Sequence, residues 1–207
     1  MCGIVGYLGS RDGRQIVIDG LRRLEYRGYD SAGIAVVADG ELYIRKKAGK
    51  IANLAAAIEA DPLPRSGTAI GHTRWATHGA PTDANSHPHV SGRIAVVHNG
   101  IIENHAALRE DLDVEFVSET DSEVAAHLLS REVDAGADLV SAMRAVVTRL
   151  EGAFTLVAVD AADPDRIVAA RRNSPLVVGI GDGEYFLASD VAAFIEHTRD
   201  AVELGQD

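Results

Sequence analysis

The apolar positions change their period along the chain, and each change marks an element. Gly3–Leu8 is a short apolar run, the pattern of a buried strand. From Arg14 to Tyr26 the residues Ile16, Ile18, Leu21 and Leu24 recur at helical spacing, and Arg27-Gly28 closes that stripe. Gly33–Val37 and Leu42–Arg45 flank Asp39-Gly40, which predicts a hairpin. The alanine-rich stretch Ile51–Ala60 predicts a helix stopped by Asp61-Pro62-Leu63-Pro64. Thr68–Arg74 and Arg93–Val97 predict strands, separated by a loop rich in His, Asn, Gly and Pro. Helices follow over Ala106–Leu112, Ser122–Glu132 and Leu139–Leu150. The last third predicts an antiparallel meander of Phe154–Val159, Ile167–Arg171, Leu176–Ile180 and Tyr185–Ala188, then a short helix near Val191–His197. The helices fall into two groups among strands with turn-length connections. That arrangement predicts an α+β fold with helices on the outer faces of antiparallel sheets.

Composition narrows the class. The 207 residues carry 20 basic and 31 acidic side chains, a net charge of −11, which argues against a nucleic-acid surface. Hydrophobic residues make up 46%, ordinary for a soluble domain, and no run approaches the ~18 apolar residues of a membrane span. A single cysteine excludes a disulfide framework and fits a reducing, cytoplasmic setting.

That cysteine is Cys2, one cleavage away from being the first residue. Removal of Met1 would place a thiol and a free α-amine on the same residue. Their ordinary pKa values, about 8.5 and about 7.7–8.0, allow a proton to pass between them at low cost. The plain alternative is a small core residue, since free cysteine is among the most buried types.

Four polar, Gly-rich segments stand out: Arg27–Gly33, His72–Gly79, His98-Asn99-Gly100 and Ser118–Glu123. A cysteine attacking an acyl carbon needs two donors aimed at the oxyanion. Asn99 offers a side-chain NH2 and Gly100 a backbone N–H, but on this segment alone Asn-Gly reads as a turn. Arg74 ends a strand with a fork suited to a carboxylate, or to a surface ion pair. Asp121 reads as part of a capping box with Ser118, and equally as a partner for an ammonium. An Arg–Asp pair of this kind grips the α-carbon end of an amino acid. His87-Pro88-His89 would place two imidazoles on one strand face, near His72, His78 and His98. No carboxylate or thiolate completes a ligand spacing, so no metal is expected.

Together these residues resemble the glutaminase domains of the glutamine–fructose-6-phosphate aminotransferase (isomerizing) family, the glucosamine-6-phosphate synthases. These are class II glutamine amidotransferases, which are N-terminal nucleophile hydrolases. The resemblance is carried by Met1–Gly6, Leu21–Gly33 (LRRLEYRGYDSAG), Gly71–Gly79 (GHTRWATHG), Asn85–His89, Val97–Glu103 (VHNGIIE) and Val117–Glu123. It implies a four-layer αββα sandwich that hydrolyses L-glutamine without a cofactor, the ammonia serving amino-sugar synthesis from fructose-6-phosphate. It further implies Cys2 as nucleophile, its freed amine as base, and Asn99 and Gly100 as the oxyanion hole. Arg74 and Asp121 become the clamps for the glutamine α-carboxylate and α-ammonium. Thr77, His78 and His87 line the pocket, and Trp75 belongs to a loop that closes over it. Full-length members are implied to be cytoplasmic homodimers with about two further domain lengths of sugar isomerase modules. On that basis 1–207 is a glutaminase domain truncated at its C-terminus. Two other readings stay open: an N-terminal cysteine amidohydrolase acting on a penicillin or bile-salt amide, and a silent module that senses glutamine or holds subunits together.

Overall fold

The computed structural model describes residues 2–205. The expectation about Met1 lies outside those residues. Two antiparallel sheets face each other. The first contains β1 (Gly3–Leu8), β2 (Ser31–Ala38), β3 (Glu41–Ala48), β4 (Thr68–Arg74), β9 (Val177–Ile180), β10 (Tyr185–Ala188) and β11 (Ala201–Glu203). Its spatial order is β11-β9-β10-β1-β4-β2-β3, so β1 is a central strand. The second, ordered β5-β6-β7-β8, contains β5 (His89–Ser91), β6 (Ile94–Ile102), β7 (Gly152–Asp160) and β8 (Asp163–Arg172). The helices are α1 (Gly13–Arg23), α2 (Ile51–Ala60), α3 (His105–Leu112), α4 (Glu123–Asp134) and α5 (Leu139–Val147).

Strand alternation builds the layers, because successive side chains point to opposite faces. On β1, Val5 and Tyr7 join the core under α1 and α2, whereas Ile4 joins the core between the sheets. On β6, Ile94 and Val96 meet α3, α4 and α5, whereas Ala95 and Val97 face the other sheet. Three apolar cores thus separate four layers in the order αββα, the predicted class.

The predicted hairpin turns through Asp39 and Gly40, both with positive φ, joining Ala38 to its partner Glu41. Three expectations need correction. The meander is divided: β7 and β8 pair in the second sheet, whereas β9 and β10 pair in the first. Asn99-Gly100 is no turn, since both lie within β6 opposite Thr155 and Phe154 of β7. His87 and His89 do not share a strand, because β5 begins at His89.

Candidate active site

The polar residues of interest prolong the inter-sheet face. Ile70 of β4 and Val97 of β6 belong to the core between the sheets. Two and four residues on, the same alternation places His72, Arg74 and Asn99. β1 pairs with β4 with Gly3 opposite Thr73, and continuing that register sets Cys2 opposite Arg74. One end of the inter-sheet core is therefore polar, and it opens on a cavity of about 210 Å3.

Cys2, Arg74, Trp75, Thr77, His78, His87, Gly100 and Asp121 all line that cavity. Asn99 lines an adjoining one of about 300 Å3, which also touches Cys2 and Gly100. The sulfur of Cys2 accepts the Trp75 N–H at 3.2 Å and lies 3.6 Å from the Trp75 carbonyl oxygen. Burial pushes the thiol pKa up, against the opposing effects of that N–H and of the Arg74 guanidinium.

Asn99 donates through Nδ2 to the Cys2 carbonyl oxygen at 3.3 Å. Gly100 follows with a φ of 123°, and a methyl there would run into the Ala153 carbonyl. Only glycine continues β6 past this point without displacing β7.

Arg74 is 3% exposed, which removes the surface ion-pair reading. Its guanidinium donates to the carbonyls of Ala80 at 3.2 Å, Gly79 at 2.9 Å and His78. Three of its five N–H groups hold the loop after β4, and two remain for another acceptor. Trp75, on that loop, is 54% exposed, with its indole beside Gly28. The Ala76 N–H donates to Asp30, which fastens the loop to the segment before β2.

Asp121 does not cap α4. Its Oδ2 accepts the Ile102 N–H at 2.8 Å, and its Oδ1 accepts the Ser122 hydroxyl at 3.2 Å. The reach-back role falls to Glu123, whose carboxylate accepts the backbone N–H groups of Val117 and Ser118 and the Ser118 hydroxyl. Burial works to raise this carboxyl, but the hydrogen bonds from His127, Ser118 and the two N–H groups outweigh it and hold it at about 2.

His98, Ile101, Thr120 and Ser122 also line the cavity and were not singled out as lining residues by sequence. Their signal was available: each adjoins a residue that was. His72 was likewise passed over as a site residue, though its Nε2 lies 2.9 Å from Asn99 Oδ1. His72, His87 and His89 form a buried row, with ring centroids 4.1 and 4.6 Å apart. Burial lowers all three and keeps them neutral. Among the described residues, no group of three or more His, Cys, Asp or Glu is placed to hold a metal ion. No helix among them is long and apolar enough to cross a membrane.

Known proteins resemble this chain in sequence and in fold. Glutamine–fructose-6-phosphate aminotransferase [isomerizing] of Streptomyces coelicolor is 67% identical over 212 residues, covering all of this chain and 34% of that protein. The protein of the same name from Mycolicibacterium smegmatis is 61% identical over 221 residues and is covered to 35%. The chain thus spans about a third of the length of these curated relatives. Among solved structures, glutamine phosphoribosylpyrophosphate amidotransferase from B. subtilis superposes with a TM-score of 0.81 at 29% identity. That match covers 98% of this chain and 44% of the other. The sequence model of the glutamine amidotransferase domain matches residues 72–196, from the His72 strand through β10 and the turn after it. With that match over more than half its length and the αββα layers to go with it, the chain belongs to the glutamine amidotransferase domain family.

Proposed function

We propose that this chain hydrolyses L-glutamine to glutamate and ammonia, with Cys2 as the nucleophile. One observation carries the proposal: Cys2, Arg74 and Asp121 open together onto a single cavity. A guanidinium and a carboxylate on its walls suit an α-carboxylate and an α-ammonium, leaving the side-chain amide to reach the sulfur. A penicillin or bile-salt amide has no such amino-acid end.

The raised thiol needs a base, and the only hydrogen-bond partner of its sulfur among the described residues is the Trp75 backbone. The base in this proposal is the α-amine of Cys2, freed by removal of Met1. It takes the Sγ proton as sulfur bonds to the amide carbon, and the carbonyl π pair moves onto oxygen. The Asn99 NH2 and the Gly100 N–H stabilise that oxyanion. The α-ammonium then protonates the amide nitrogen, the C–N bond breaks and ammonia leaves, giving a γ-glutamyl thioester. Water attacks the thioester, losing its proton to the amine. The C–S bond breaks as that proton returns to sulfur, releasing glutamate.

Thr77, His78 and His87 line the substrate cavity in this scheme, and the Trp75 loop closes it. The name borne by the relatives supports a further step, in which the ammonia aminates fructose-6-phosphate in sugar isomerase domains. The test is a glutaminase assay on protein whose intact mass shows Met1 removed, beside Cys2→Ala. Glutamate release by the parent and none by the variant is expected. Equal release by both, or hydrolysis of a hydrophobic amide in preference to glutamine, overturns the proposal.

A further inference from the structure

His72 is wholly buried, and its Nε2 lies 2.9 Å from Oδ1 of Asn99. The two side chains come from different sheets, His72 from β4 and Asn99 from β6. The other ring nitrogen, Nδ1, is buried without a hydrogen-bond partner. The ring of His87 packs over His72 at 4.1 Å, and neither of its nitrogens is partnered either. Burial holds His72 down to about 3, so the ring is neutral at any working pH.

A neutral imidazole has one donor and one acceptor, and a primary amide has two chemically opposite ends. Two arrangements are therefore possible across this contact. With the proton on Nε2, His72 donates to Asn99 Oδ1, and the NH2 of Asn99 faces Cys2, as its 3.3 Å contact with the Cys2 carbonyl requires. With the proton on Nδ1, Nε2 becomes an acceptor and the amide must turn over. Its oxygen would then face the reacting centre and repel a developing oxyanion. Apart from His72 and the Cys2 carbonyl, the two positions adjoin the apolar inter-sheet core at Ile70 and Val97.

We propose that His72 is the positioning residue that keeps the Asn99 amide with its NH2 toward Cys2, through an Nε2–H donor. This inference rests on the glutaminase reading above. His72 touches neither substrate nor sulfur in it. It acts on turnover through Asn99 and leaves the amino-acid clamp alone.

The test compares His72→Phe and His72→Gln in the Met1-processed chain. Loss of one oxyanion donor costs about 10²–10³-fold in turnover, so His72→Phe should lower kcat by about 10²-fold with KM for glutamine nearly unchanged. His72→Gln places a neutral N–H donor at similar reach and should recover about tenfold of that loss, which a purely structural role would not predict. A 15N-histidine spectrum of the parent chain, with His72 assigned from the Gln variant, should show the Nε2–H tautomer. Wild-type kcat in His72→Phe, equal losses in both variants, a loss confined to KM, or an Nδ1–H tautomer would each overturn the inference. If the parent itself does not hydrolyse glutamine, the glutaminase reading falls and the role of His72 falls with it. An active parent beside an unaffected His72→Phe removes this inference alone.

Discussion

Asp121 accepts the backbone N–H of Ile102 at 2.8 Å, which ties the loop before α4 to β6 two residues beyond Gly100. That hydrogen bond joins the wall that faces the substrate ammonium in the proposed reaction to the strand that faces its oxyanion. Asp121→Asn keeps an oxygen for Ile102 but removes the charge. It should raise KM for glutamine by about 10- to 100-fold, the worth of a charge-assisted hydrogen bond, with a smaller effect on kcat. Asp121→Ala also loses the tie, so its kcat should fall as well. Steady-state glutaminase kinetics on the two variants measure the difference.

Arg74 holds the loop carbonyls of residues 78–80 and lines the cavity, where the proposed reaction gives it the α-carboxylate as well. An ammonium has no planar fork and too few donors for both. Arg74→Lys should therefore raise KM by about tenfold or more while the protein stays folded. Limited proteolysis should find the 75–80 loop cut faster than in the parent, and equal cleavage would refute the loop-holding role.

Gly100 occupies a φ of 123° against the Ala153 carbonyl. Gly100→Ala must push β6 from β7 at the point where Asn99 is presented. A cost of about 1–3 kcal/mol in stability is expected, together with a fall in kcat. Thermal unfolding and turnover should drop in parallel, and an unchanged melting temperature would contradict the packing described.

Glu123 makes stability depend on acid in a defined window. Its folded pKa of about 2 lies below the ordinary 4.5, so the folded state favours its ionised form. That contribution is complete above about 4.5 and is lost as the pH falls through about 2. Melting temperature should fall as the pH is lowered across that window in the parent, and less steeply in Glu123→Gln. Parallel profiles would show that the carboxylate is not the group responsible.

Much of the fold was legible because local pattern and final environment agree. Gly3–Leu8, Ile51–Ala60, Thr68–Arg74 and Tyr185–Ala188 stand where apolar run and flanking breakers predict. The three-residue strands β5 and β11 were not, being too short to carry a period. Nor does any spacing in Ile167–Ile180 say that β8 and β9 belong to different sheets; that choice is made by partners far away in sequence. The site divides the same way. Arg74 and Asp121 stand out by residue type at element ends, and Asn99 by residue type alone, inside β6. The turn reading of Asn99-Gly100 failed because pairing with β7 overrides a local preference. His72 was invisible as a site residue because its contact with Asn99 crosses from one sheet to the other.

The place of β1 in its sheet bears on how the protein can be produced. Held between β4 and β10, it has no edge along which to slide, and Cys2 is delivered directly to the cavity mouth. With the α-amine of Cys2 as the base, as proposed, an affinity tag fused ahead of Cys2 puts an amide in its place. Such a preparation would fold and melt normally yet release no glutamate, whereas a tag at the other end leaves the proposed reaction intact.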